Sequence, residues 1–239
     1  MSKIKKTLMK FFAPYIEGSN KIIANEQITP HFHLLTIKGK PLTKVKWSAG
    51  DKVKLSVGSD ETRSYTPLSW DIDNGVMRTL IYMHAKGPGA LWARDVKAQT
   101  QVMVLGPKSS VKIDPDTKTV IFFGDETTIG LAHALKKNIT QTRFHFFFES
   151  DVLNESLTVL QKFDLPEASL VTLEKFDVIA EEMKALYLQE QNLKIILSGK
   201  QQSIVAVRER LYAMGIPENV ISKKVYWGWK DDPNGKLKK

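Results

Sequence analysis

Four residues, Arg63-Ser64-Tyr65-Thr66, combine the groups needed to seat a planar molecule that carries phosphates. In an extended chain Arg63 and Tyr65 project to one face. A guanidinium holds a pyrophosphate through forked, charge-assisted hydrogen bonds. A phenol ring two residues along can cover an aromatic ring. A flavin dinucleotide has both features. Thr66 faces the other way in an ideal strand and reaches a flavin edge only if the strand stops there. Pro67 favours that, because proline cannot donate to a ladder. The same run also suits an ordinary strand with one exposed arginine and one core tyrosine.

Three further stretches carry candidate chemistry. In His84-Ala85-Lys86-Gly87-Pro88-Gly89-Ala90-Leu91-Trp92-Ala93 a strand ends at His84 and a short helix begins around Pro88–Ala90. Free amide N–H groups at a helix start, with only glycines over them, bind phosphate. The alternative is a plain glycine turn with Trp92 in the core. Gly124-Asp125-Glu126-Thr127-Thr128-Ile129-Gly130 follows the apolar run TVIFF, at the first β-to-α turn of a parallel sheet, where ligands bind outside the strand ends. It is not a G-x-G-x-x-G fingerprint, and two acids beside a phosphate are unfavourable unless they point away or hold ribose hydroxyls. A helix N-cap made by Asp125 or Thr127 is the structural alternative. Finally, Tyr226-Trp227-Gly228-Trp229 places two tryptophans near the C-terminus, where exposure is costly. They pack on the sheet or lie over a flat ligand. The five histidines show no metal-ligand spacing with acids, His31-Phe32-His33 reads as a strand face, and no Ser-His-Asp set or P-loop is visible.

The elements that must position these residues change character half-way along the chain. Before residue 115, IIANEQITPHFHLLTIKG, DKVKLSVG, TRSYTPL, RTLIYMHAKG and TQVMVLGP are short runs rich in β-branched and aromatic residues, separated by Gly, Pro, Asp or Asn. Val53, Leu55 and Val57 alternate with polar residues, the pattern of a half-buried strand. Such strands predict a small antiparallel barrel. After Pro115 continuous apolar runs (TVIFFG, RFHFFF, LKIILSG) alternate with helical stretches of 10–15 residues, which predicts βαβ units and a parallel sheet. The resulting organisation is a basic N-terminal extension over 1–20, an antiparallel barrel over 21–114, an α/β domain over 115–229 and a basic tail over 230–239.

Composition narrows the function classes. The 239 residues are 42% hydrophobic and 26% charged, as in soluble globular proteins. No apolar run approaches the roughly 18 residues of a membrane span. The N-terminal MSKIKKTLMKFFAPYIEGS reads as a short amphipathic helix packed on the protein's own body, since its apolar run is too short for a signal peptide. The absence of cysteine excludes disulfides, thiolate zinc sites, cysteine-ligated iron–sulfur clusters and thiol nucleophiles, and fits the cytosol. Residues 1–10 carry four lysines and no acids, and residues 223–239 carry six lysines and two aspartates, so the ends hold eight of the nine net positive charges. A nucleic-acid binder spreads such charge over a folded face, so nucleic acid is not the expected partner.

Taken in order, RSYT at 63–66, HAKGPGALWA at 84–93, GDETT at 124–128 and YWGW at 226–229 resemble the siderophore-interacting protein family of the ferredoxin–NADP reductase superfamily. The resemblance implies a flavin-binding barrel and a nicotinamide-binding α/β domain that together reduce ferric siderophores. It implies that Arg63 holds the FAD pyrophosphate beside Ser64, that Tyr65 flanks the isoalloxazine ring, and that Thr66 lies near its reactive nitrogen. His84, Gly87, Gly89, Ala90, Leu91 and Trp92 would cradle the FAD phosphates. Asp125, Thr127 and Thr128 would lie at the NAD(P)H site, with Trp227 and Trp229 over a cofactor. Lys223 and Lys224 would draw in the anionic chelate. Ferredoxin is the alternative donor, and a binding protein without turnover the alternative role. The family often has an arginine where Leu68 stands, so Leu68→Arg is expected to tighten FAD binding.

Overall fold

The computed structural model describes residues 20–58, 61–83, 87–172 and 175–228. The N-terminal extension up to residue 19, His84, Trp229 and the basic tail over 230–239 lie outside the described residues. The chain divides into two compact units. One takes the described residues up to Lys112 together with His133–Asn138; the other takes Ile113–Ala132 and those from Ile139 onward.

The first unit is antiparallel. Its strands are β1 (Lys21–Thr29), β2 (Phe32–Lys38), β3 (Lys52–Ser56), β4 (Thr62–Tyr65), β5 (Ser69–Asp71), β6 (Val76–Tyr82) and β7 (Val104–Lys108). The barrel expected from the alternation is built as two sheets, ordered β1-β2-β6-β5 and β4-β3-β7. They share one core. Ile22, Leu35, Ile37 and Met77 from the first sheet meet Val53, Leu55 and Val104 from the second. Lys54, between two buried neighbours, faces solvent, so the period of two decides which side chains enter that core. Helix α1 (Pro88–Asp95) adds Ala93, and Val96 just beyond it, to the same cluster. Main-chain bonds from Ile22 N to Thr100 O and from Val102 N to Asn20 O, each 2.9 Å, tie the start of β1 to the segment leading into β7.

The second unit alternates strand and helix. It runs β8 (Thr119–Gly124), α2 (Ile129–Asn138, whose residues from His133 onward group with the first unit), β9 (Arg143–Ser150), α3 (Leu153–Lys162), β10 (Ser169–Thr172), α4 (Phe176–Gln189), β11 (Leu193–Lys200), α5 (Gln201–Ala213) and β12 (Ile221–Trp227). The five strands are parallel in the order β10-β9-β8-β11-β12. β8 is central and buried at every position, which explains its unbroken apolar run. On one face Ile121, Phe123, Ile195 and Leu197 pack with Ile179 and Met183 of α4 and Ile204 and Val207 of α5. The other face holds Phe122 against Phe146 and Phe148, with ring centroids 5.8 and 5.9 Å apart. The strand order reverses direction between β8 and β11. That is the switch point at which open parallel sheets bind ligands. Among the described residues no helix is long and apolar enough to cross a membrane.

Candidate functional site

In the antiparallel unit, pairing register puts the expected residues on one face. Tyr65 lies opposite Val53, and Arg63 opposite Leu55. Directly opposed residues share a face, so Arg63 and Tyr65 stand on the side of the two buried residues. Ser64, opposite Lys54, is exposed on the other side. The start of α1 lies directly against the pair. A Cβ on Gly89 would sit 2.6 Å from the Tyr65 hydroxyl and 3.2 Å from Arg63 Cγ, so only glycine permits this approach.

The helix start itself is open. Gly87 is the N-cap and makes no side-chain cap, Pro88 takes the first position, and among the described residues a Cβ on Gly87 would meet nothing within 4 Å. Proline brings no N–H, so the amides of Gly89 and Ala90 are the ones that helix geometry leaves without an intrahelical partner. Leu91 N already donates to Gly87 O at 3.0 Å. Ala90 is buried, Leu91 exposed, and Trp92 packs on the core cluster.

Electrostatics set the state of each side chain. Arg63 Nη2 lies 2.9 Å from Glu61 Oε2, and Nη1 donates to Thr62 O at 2.9 Å. Both charged side chains are close to half exposed, at 43% and 49%, so the pair is weak and exchangeable. Burial pushes the Tyr65 phenol up to about 12, with the Arg63 charge pulling the other way. The hydroxyl is therefore a neutral donor at any physiological pH. Thr66 is buried where the chain leaves β4, and its carbonyl accepts from Thr79 Oγ1 at 3.4 Å. Leu68 corrects an expectation. It is 2% exposed, with its N–H bonded to Arg78 O, so an arginine there would bury a charge in the barrel wall rather than present it to a ligand.

The turn after β8 is arranged differently. Asp125 is buried, and its carboxylate accepts four hydrogen bonds. Oδ1 takes Thr127 N (2.9 Å) and Thr127 Oγ1 (2.5 Å). Oδ2 takes Lys200 N (2.7 Å) and the Trp227 indole Nε1 (2.8 Å). Thr128 closes a capping box with Asp125, and its N–H donates to Asp125 O at 2.9 Å. Gly199, at φ +109°, is the residue that lets the carboxylate in, since a Cβ there would lie 2.5 Å from Oδ2. Asp125 thus joins the carboxyl ends of β8, β11 and β12 across the switch point. Desolvation raises its pKa, while the bonds from Thr127, Trp227 and Lys200 pull it down.

Two more carboxyls lie close by. Glu149, at the end of β9, is pushed up to about 7 by burial, against a hydrogen bond from Ser203 that lowers it, and among the described residues its Oε2 has no hydrogen-bond partner. Burial also raises Glu126, whose Oε1 accepts from Asp151 N at 2.9 Å. Trp227 is pinned by its bond to Asp125, and Lys200 Nζ lies 5.6 Å from its ring centroid. Just after Trp227, Gln202 Nε2 donates to Gly228 O. Lys223 and Lys224 are consecutive on β12, so their side chains leave opposite faces. Lys223 Nζ sits 3.9 Å from Glu218 Oε1.

The corner around Arg63, Tyr65 and the start of α1 lies in a segment that a family model matches. Residues 57–111 match the family model of the siderophore-interacting FAD-binding domain. The match falls on the family to which the motifs pointed and contains Arg63–Thr66 and Gly87–Trp92. Among solved structures, a siderophore utilization protein from T. fusca superposes with a TM-score of 0.70 at 18% identity, covering 91% of this chain and 95% of that one. The siderophore-interacting protein from Acinetobacter baumannii gives 0.70 at 17% identity, over 91% and 93%. Phthalate dioxygenase reductase gives 0.71 at 14%, over 88% and 68%. At these identities the likeness is one of fold. No curated protein matches the sequence.

The segment matched to the siderophore-interacting FAD-binding domain has features that suit a dinucleotide: a helix start without a side-chain cap, a neutral phenol and an exchangeable guanidinium meet at one corner. The turn after β8 offers a pyrophosphate less, because its amides already serve Asp125. Sequence reasoning missed Glu61, Glu149 and Lys200. An acid closing the buried run RFHFFFE was the available signal for Glu149.

Proposed function

We propose that the protein is an FAD-dependent oxidoreductase that reduces ferric siderophores in the cytosol and releases iron(II), with NAD(P)H as electron source. The flavin part is the barrel over 21–114, and the donor part is the α/β domain over 115–229. The observation that carries this reading is the corner formed by Arg63, Tyr65 and the open start of α1, inside the segment matched to the siderophore-interacting FAD-binding domain. FAD, when bound, links a two-electron hydride donor to one-electron acceptors. Ferric siderophores hold Fe³⁺ through hard oxygen donors that suit Fe²⁺ less well, so reduction loosens the metal.

The protein's own residues bind and orient. Arg63 would exchange Glu61 for the pyrophosphate, the amides of Gly89 and Ala90 would take a phosphate oxygen at the positive end of the helix, and Tyr65 would present a neutral hydroxyl beside them. Lys223 or Lys224, but not both from one face, meets the anionic chelate.

A second reading keeps the flavin and takes electrons from reduced ferredoxin. It is favoured by the way Asp125 uses the turn amides and by the net charge of +9, which suits an acidic partner.

Purified protein is titrated with FAD and then mixed with a ferric siderophore, a ferrous chelator and each donor in turn. The expected result is a yellow, FAD-loaded protein that forms iron(II), with Arg63→Ala raising the FAD dissociation constant roughly tenfold or more. A protein that cannot be loaded with FAD overturns the proposal.

A further inference from the structure

Helix α1 has only eight residues, Pro88–Asp95. A helix of this length is not stable by itself in water, so its position is set by what holds it. Its far end is held by one side chain from another strand. Asn25 of β1 donates its amide to Ala93 O at 2.8 Å and to Val96 O at 3.0 Å, two carbonyls at the end of the helix. Because both acceptors are carbonyls, the nitrogen of the amide must face the helix, and Oδ1 must face away. Oδ1 lies 3.0 Å from Nδ1 of His33 on β2. An amide oxygen only accepts, so the His33 proton is on Nδ1. His33 is buried, and desolvation lowers its pKa, so it is a neutral ring in a fixed tautomer. The hydrogen bonds from Asn25 to this helix are at its C-terminal end, away from its start at Pro88.

We propose that Asn25, oriented by His33, is a positioning residue that sets the tilt of α1 and so aims its N-terminal amides at the phosphates of the flavin cofactor. This rests on the FAD reading of the corner described above. The lever is geometric. At 1.5 Å per residue the helix is about 12 Å long, so releasing one end and tilting it by about 5° moves the other by about 1 Å. A hydrogen bond to phosphate does not survive that displacement at full strength.

The test compares two ligands that differ in phosphate. FAD carries the pyrophosphate and riboflavin has none, so both are titrated by flavin fluorescence into wild type, Asn25→Ala and Asn25→Asp. The expected result is an FAD dissociation constant raised about tenfold for Asn25→Ala, the loss of roughly one hydrogen bond to a charged group. Asn25→Asp weakens FAD further, since a carboxylate would face two carbonyls and the negative end of the helix. Riboflavin binding stays within twofold of wild type. If the Asn25 variants fail to fold, the comparison passes to His33. His33→Gln can still donate to Asn25 Oδ1 and holds FAD as wild type does, whereas His33→Phe cannot and weakens it. Equal loss of FAD and riboflavin, or unchanged FAD affinity in variants that fold, overturns the inference. A wild type that takes up neither flavin removes the FAD reading itself, and the inference with it.

Discussion

Two strand-to-helix turns were expected to lie at cofactor sites, and they have opposite chemistry. At the start of α1 the cap is a glycine, the first residue is proline, and Arg63, which lies against Gly89, leans on a half-exposed glutamate. At the turn after β8 the cap is Asp125, which is buried and takes hydrogen bonds from two backbone amides, a threonine hydroxyl and an indole. In the FAD reading proposed above, the first turn receives an external anion. The second carries an anion of its own, supplied by the chain. A glycine makes each possible, Gly89 by letting a helix approach Arg63 and Tyr65, Gly199 by letting a carboxylate in. Glycines at a turn thus mark close approach, and what approaches can be a ligand or the protein itself.

The largest effect expected from this contrast is on stability. Asp125→Ala leaves Lys200 N, Thr127 N and the Trp227 indole facing a small cavity, and uncompensated buried donors of this kind cost about 3–5 kcal/mol in total. Denaturant unfolding should show that loss in the α/β unit, while FAD affinity stays within twofold of wild type. A drop in FAD affinity as large as that of Arg63→Ala would end the distinction between the two turns.

The next effect is a pH dependence. Glu149 titrates near 7 in the folded protein against 4.5 as its ordinary value. The folded state therefore holds this proton more tightly than the unfolded chain does. Stability from this group is complete below about pH 4.5, declines as pH rises to about 7 and is flat above it, a total of roughly 3 kcal/mol. Burial raises Glu126 in the same direction. Glu149→Gln should flatten the stability profile between pH 4.5 and 7, measured as the difference from wild type across that window. An unchanged slope would mean that Glu149 is ionised in the fold and that Lys200 offsets its burial.

Much of this was legible in the sequence because it depends on period or on neighbours in the chain. Unbroken apolar runs marked β8, β9 and β11, and alternation placed Arg63 and Tyr65 on one face. The dual nature of Asp125, ligand site or helix cap, was also visible from the residues themselves. What stayed hidden depends on contacts far apart in sequence. Trp227 reaches Asp125 across 102 residues, and Asn25 reaches α1 across 68 and 71. No local pattern announces either. Leu68 failed for a related reason: whether its side chain meets solvent or core is decided where the chain crosses from β4 to β5, and the strand before it does not specify that.

The smallest effect sharpens the comparison most directly, because it asks whether the open turn is occupied in any sense before its ligand arrives. Glu61 Oε2 holds Arg63 Nη2 at 2.9 Å, so an incoming pyrophosphate must displace it. With both side chains near half exposure the pair is worth only about 0.2–1 kcal/mol, which sets the limit of what its removal can do. Glu61→Gln keeps the size of the side chain, releases the guanidinium and removes a negative charge that repels the phosphates. FAD should bind about two- to fivefold tighter at low ionic strength, and the gain should fade as salt screens the exposed charges. If the variant binds FAD no better at low salt, Arg63 is not the group that receives the pyrophosphate, and the open turn after β6 acts through its amides alone.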